Sequence, residues 1–133
     1  MKKIILLLIL NLTVVFAHNP FVHLEGFDSK SSNNKLIKDF NHVSFFANKG
    51  NSNAQFDLAL MYLSGEGVKK DEKMAFKWIH KSARNNHLEA KFNMGLNFLY
   101  GRGVLKRKSL ASYWFKLASK GGHLKARKFL AKM

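Results

Sequence analysis

Asn93 and Asn97 stand four residues apart, so on a helix both amides point the same way. An asparagine amide donates and accepts hydrogen bonds, which suits it to an extended peptide backbone. Gln55, Asp57 and Lys91 are polar positions of the same kind. The second chemical resource is positive charge. Lys106-Arg107-Lys108 lie near Arg102, and Lys125, Arg127 and Lys128 extend the cationic stretch toward the C-terminus. From Ala90 to Met133 there are eleven basic residues and no acid, Glu89 being the last carboxylate. A surface of that sign attracts acidic proteins, polyanions or anionic membrane surfaces.

Other chemistry finds little support. Histidines stand at His18, His23, His42, His80, His87 and His123. His87 and His123 are 36 residues apart, but no His-x-x-x-His pair shares a helix and there is no cysteine, so no metal site is expected. A weak pH response is their remaining chemistry. The eight acids are scattered. No nucleophile elbow, phosphate loop or zinc-protease motif occurs, so neither an enzyme nor a cofactor is expected.

The elements that must carry these side chains repeat with a period of 36. Ala54-Gln55-Phe56 returns as Ala90-Lys91-Phe92, Gly65-Glu66-Gly67-Val68 as Gly101-Arg102-Gly103-Val104, and Ala75-Phe76-Lys77-Trp78 as Ala111-Ser112-Tyr113-Trp114. A third start appears at Ala126. Such periods mean stacked supersecondary units that present binding surfaces. The first unit, 51–86, predicts helix A over Ser52–Ser64, a break at Gly65 and Gly67, and helix B from the N-cap Asp71 to Arg84. The second, 87–122, copies it with helix B over Lys108–Lys120, although Arg107 replaces the capping aspartate. Lys35–Gly50 reads as the second half of a degenerate unit, and His123–Met133 as the first half of another. An amphipathic repeat cannot bury its face alone, and the two halves supply the missing third unit.

The start of the chain reads differently. Lys2-Lys3, an apolar run from Ile4 to Phe16 and a small residue at Ala17 have the order of a cleaved secretory signal peptide over residues 1–17. The run of 13 residues from Ile4 to Phe16 falls short of the ~20 a spanning helix needs. No transmembrane segment is expected in the mature chain. Removal of the two lysines reduces the net charge from +15 to +13. His18–Asn34, with Pro20, Gly26 and Ser31-Ser32-Asn33-Asn34, reads as a flexible leader. Export without cysteines leaves stability to helix packing alone.

The pattern Ala54-x-Phe56-x-Leu58-Ala59-x-x-Tyr62-x-x-Gly65-x-Gly67-Val68-x-x-Asp71-x-x-x-Ala75-x-x-Trp78-x-x-Lys81-x-Ala83 resembles the Sel-one-like repeat (SLR), a relative of the tetratricopeptide repeat. Its second copy keeps Ala90, Phe92, Gly101, Gly103, Val104, Ala111 and Trp114. The resemblance implies an all-α fold, a short TPR-like α/α solenoid of about six helices. It also implies an adaptor that holds a protein partner on a concave face lined by A helices. Gln55, Asp57, Asn93 and Asn97 are then the candidate partner-binding residues. Arg102, Lys106, Arg107, Lys108, Lys125, Arg127 and Lys128 are the candidate anion-binding ones. The expected setting is periplasmic or secreted, with an acidic protein partner and no nucleic acid. An anionic envelope polymer or lipid is the alternative ligand. A β-lactam or cell-wall hydrolase activity, credited to cysteine-rich relatives, transfers poorly to a chain without cysteine.

Overall fold

The computed structural model describes residues 29–133. The signal peptide and leader expected over 1–28 lie outside the described residues. Among the described residues six helices follow one another: α1 (Ser29–Asn48), α2 (Ser52–Ser64), α3 (Glu72–Arg84), α4 (Leu88–Tyr100), α5 (Lys108–Lys120) and α6 (Leu124–Ala131). Helix α2 pairs with α3, and α4 with α5. Each pair then stacks on the next through α3 against α4 and α5 against α6. Thus α2, α4 and α6 are the A helices, and α1, α3 and α5 the B helices. The expected all-α solenoid is what the chain forms. No described helix is long and apolar enough to cross a membrane.

The start of α1 departs from expectation. Residues 29–34 are helical, although the run of serine and asparagine has the composition of a leader. Serine and asparagine lie only a few tenths of a kcal/mol below good helix formers. Once Phe40 and Val43 anchor the helix against the core, extending it N-terminally is cheap.

Local chemistry sets the helix ends. Asp71 accepts from the amides of Lys73 and Met74, capping α3. Gly65 and Gly101 close α2 and α4 in the left-handed conformation, their amides returning to the Met61 and Asn97 carbonyls. The next glycines serve the stacking. A Cβ on Gly67 would lie 2.3 Å from the Leu36 carbonyl oxygen, and one on Gly103 equally close to that of Glu72. Each loop therefore seats directly on the backbone of the preceding B helix, where only glycine fits. The seat is repeated by Phe40 edge-on to Tyr62 at 5.8 Å and Phe76 edge-on to Phe98 at 5.6 Å.

The core runs along the helix crossings. Ala59, Ala75, Ala90, Ala111, Ala118 and Ala126 are fully buried where backbones approach, and Leu58, Ile79, Met94 and Phe115 fill the space between them. Each large side chain contributes about 1.5–3 kcal/mol by leaving water. Complementary sizes face each other in register. Gly95 packs against Phe115, whereas the equivalent first-repeat positions hold Ala59 and Ile79.

Candidate protein-binding site

One repeated device fixes the A helices. Asn51, His87 and His123, 36 residues apart, are their N-caps, and each side chain accepts from the amide three residues on: Ala54, Ala90 and Ala126. The two imidazoles accept through Nδ1, which sets their tautomer. His123 Nε2–H then donates to Glu89 Oε2 at 2.9 Å. The rings also stack on the aromatic residue of the preceding A helix, His87 on Phe56 at 4.7 Å and His123 on Phe92 at 4.3 Å. The two histidines thus orient successive A helices. The alignment of both with Asn51, an ordinary capping residue, was the signal for this role.

The amide candidates divide. Gln55 is buried at 4 % exposure. Its Nε2 donates to the Ala47 carbonyl at 3.1 Å and its Oε1 accepts from Asn85 at 2.9 Å. Both ends of the amide are consumed in joining α1, α2 and the end of α3, so Gln55 is a scaffold residue and is corrected here as a binding candidate. Asp57 is exposed on α2, beside Leu60 and Met61. Asn93 is half-buried and donates back to the Glu89 carbonyl at 2.9 Å, and its carbonyl oxygen has no hydrogen-bond partner among the described residues. Lys91 donates to Asn86 Oδ1 at 3.0 Å. Asn97 differs from all of these. It is only 6 % exposed, and its side chain has no hydrogen-bond partner among the described residues. None of the described buried polar side-chain atoms is both sealed from solvent and unpaired. The Asn97 amide is therefore recessed, yet still reached by solvent.

The basic candidates fall on two elements. Arg102, Lys106 and Arg107 occupy the α4–α5 connection and Lys108 opens α5, all exposed, with the Arg102 guanidinium 5.3 Å from the Tyr100 ring centroid. Arg107 is the N-cap residue of α5 and makes no side-chain capping bond. Lys125, Arg127 and Lys128 are exposed on α6, where Lys125, Lys128 and Lys132 surround Phe129. No group of three or more histidine, aspartate or glutamate side chains suited to a metal ion occurs among the described residues.

His80, on α3, sits between Phe76, at 6.4 Å, and Trp114, at 6.0 Å. Burial, and secondarily the charge of Arg84, hold its imidazole below the usual histidine pKa.

The geometry agrees with relationships found by comparison. A family model of the Sel1 repeat matches residues 52–87 and 88–123. Among solved structures, a Sel1 repeat protein from Oxalobacter formigenes is 34% identical, with 68% of each chain covered and a TM-score of 0.67. The cysteine-rich protein B of Helicobacter pylori is 27% identical over 70% of each chain, also with a TM-score of 0.67. A protective antigen of uropathogenic Escherichia coli strains with an SLR fold is 28% identical, with a TM-score of 0.65. The match covers 68% of this chain but only 19% of that one. No curated protein matches the chain. Two consecutive matched repeats, built on the same loop glycines and helix pairs, show that the chain belongs to the Sel1 repeat family.

Proposed function

We propose that the protein is an exported interaction scaffold that holds an extended segment of a protein partner across its A-helix face, centred on Asn97. Sel1 repeat proteins are in general non-catalytic protein–protein interaction scaffolds. The observation that carries the reading is the recessed Asn97 amide without an internal partner. Solvent still reaches that amide, and an incoming peptide backbone would take the place of water at both its donor and its acceptor. Asn93, one turn earlier, offers its carbonyl oxygen on the same row.

Charge gives this face a direction. Asp57 and Glu66 border the exposed surface of α2, whereas Lys125, Lys128 and Lys132 border that of α6. A partner segment with its acidic end toward α6 matches this gradient. The order of basic, apolar and small residues over 1–17 supports export, to the periplasm or beyond the cell.

Crosslinking of the tagged chain in its native cell tests the reading. Asn97→Ala combined with Asn93→Ala is expected to abolish the captured partner while leaving helix content unchanged. Capture undiminished by the double substitution contradicts it. The lysines around Phe129 favour a second reading, the binding of an anionic envelope polymer. Salt separates the two, because surface charge is screened over about 10 Å at 0.1 M ionic strength. Binding lost in modest salt and with Lys125→Gln/Lys128→Gln, but indifferent to Asn97→Ala, would favour the polymer.

A further inference from the structure

An open aromatic groove of about 520 Å3 lies where the second repeat meets the first. Phe76 and His80 of α3 line it on one side, and Tyr113 and Trp114 of α5 on the other. Met94 and Phe98 of α4, both buried, form its floor. Asn93 and Asn97 lie on the neighbouring row of α4 and do not line it. The groove and the amide site are therefore distinct.

Comparison with the equivalent junction one repeat earlier shows that the groove is not a by-product of the fold. Leu105, 77 % exposed, stands where the earlier junction has Lys69, and Tyr113, 53 % exposed, stands where it has Lys77. Leu117 stands where it has Lys81, whose Nζ lies 4.0 Å from the Trp78 ring centroid and covers that indole. Three lysines have thus given way to uncharged side chains, and two of the replacements, Leu105 and Tyr113, line the groove with Trp114. At the same junction the cap Asp71 has become Arg107, which makes no capping bond and lines the groove instead. A cation at a helix N-terminus opposes the helix dipole, so this exchange costs stability twice. Exposed apolar side chains gathered in one place, beside a residue that weakens the scaffold, mark a surface kept for a ligand.

The lining identifies the chemistry. Arg107 brings positive charge to the rim, and no carboxylate lines the groove. Asp71 and Glu72 lie with Lys73 in the adjoining cleft beyond Leu105, so the carboxylates nearest the groove are outside it. The apolar groups line a recess between helices, which a flat membrane surface does not enter and a protruding side chain does.

We propose that this groove is a second docking site, which takes a bulky apolar side chain from an acidic segment of a protein partner. The anchor lies between Phe76 and Trp114, and the flanking carboxylates meet Arg107. This is the aromatic anchor with charged rim by which small interfaces concentrate their affinity.

The test is a random-peptide display selection on the immobilised full chain, followed by affinity measurement of the enriched peptides. The counter-variant is Leu105→Lys/Arg107→Asp/Tyr113→Lys, each replacement being the residue already present at the earlier junction. Tyr113→Lys alone, at a half-exposed side chain, repeats the comparison should the triple variant unfold. The expected result is a consensus pairing Trp, Phe or Leu with Asp or Glu, whose affinity falls roughly tenfold or more in the variant, the loss of one buried anchor. Peptides without such a consensus, or bound equally by the variant, would overturn the proposal. So would peptides that need Asn97 and not Tyr113. Sedimentation with phosphatidylglycerol vesicles that the variant abolishes, with no peptide enriched, would overturn it in favour of a membrane.

Discussion

Lys81 lies over Trp78 and leaves that indole 8 % exposed, whereas Leu117 occupies the same place in the second repeat and Trp114 lines an open groove. Asp71 caps α3 through two amides, whereas Arg107 leaves α5 uncapped. The two repeats share loop glycines, buried alanines and the edge-on aromatic seat, so the backbone is under the same constraints in both. What separates them is at the rim. The first repeat covers Trp78 with a lysine and caps both its helices. The second leaves Trp114 without that lysine, keeps a recessed amide at Asn97 and accepts a weaker helix start. A repeat fold permits this division, because each unit is stabilised by its neighbours and need not be optimal by itself.

The comparison can be broken most severely in the core. Gly95→Ala places a Cβ 2.4 Å from the buried Phe115 ring and is expected to destabilise by about 1–3 kcal/mol in urea unfolding. Phe115→Ile alone leaves a void and also destabilises. The double variant recreates the first repeat's alanine–isoleucine pair. It is expected to recover stability, with a coupling of about 0.5–3 kcal/mol. Additive losses would show that the two repeats do not pack interchangeably.

Exchanging the caps gives a smaller effect of opposite sign in the two halves. Asp71→Arg is expected to cost about 0.5–2 kcal/mol, and Arg107→Asp to stabilise by a similar amount. If Arg107→Asp also weakens the selected peptides, the exchange of stability for binding is demonstrated at one residue. The smallest effect concerns pH. Because the folded protein holds the His80 pKa low, the unfolded chain binds the proton more readily. Stability from this group is present above the unfolded value of about 6.5 and is lost as pH falls below it. His80→Ser, the residue found at position 44, is expected to flatten the part of the stability–pH profile just below that value. An unchanged profile would remove His80 as its source.

Much of the scaffold could be read in the chain, because its determinants are local. The 36-residue period, Asp71 and the loop glycines placed α2 to α5 at their observed bounds. The start of α1 could not be read in this way, since Ser31-Ser32-Asn33-Asn34 has the composition of a loop and is held helical by packing farther along. Gln55 is polar and falls on an A helix, so only the distant Ala47 carbonyl and Asn85 amide reveal it as scaffold. Asn97 was visible as an amide but not as a recessed one. The change from charge to aromatic surface was hidden in the sequence by the general rise in basic residues. Phe76 and His80 meet Tyr113 and Trp114 only when α3 and α5 are set side by side.

Site-specific photo-crosslinking in the native cell tests the division of labour most directly. The crosslinker is placed at positions 93 and 105 of the second repeat and at position 69 of the first. A partner protein trapped from 93 and 105, and not from 69, is the predicted result. Equal trapping from all three positions, or trapping from position 69 alone, would contradict it.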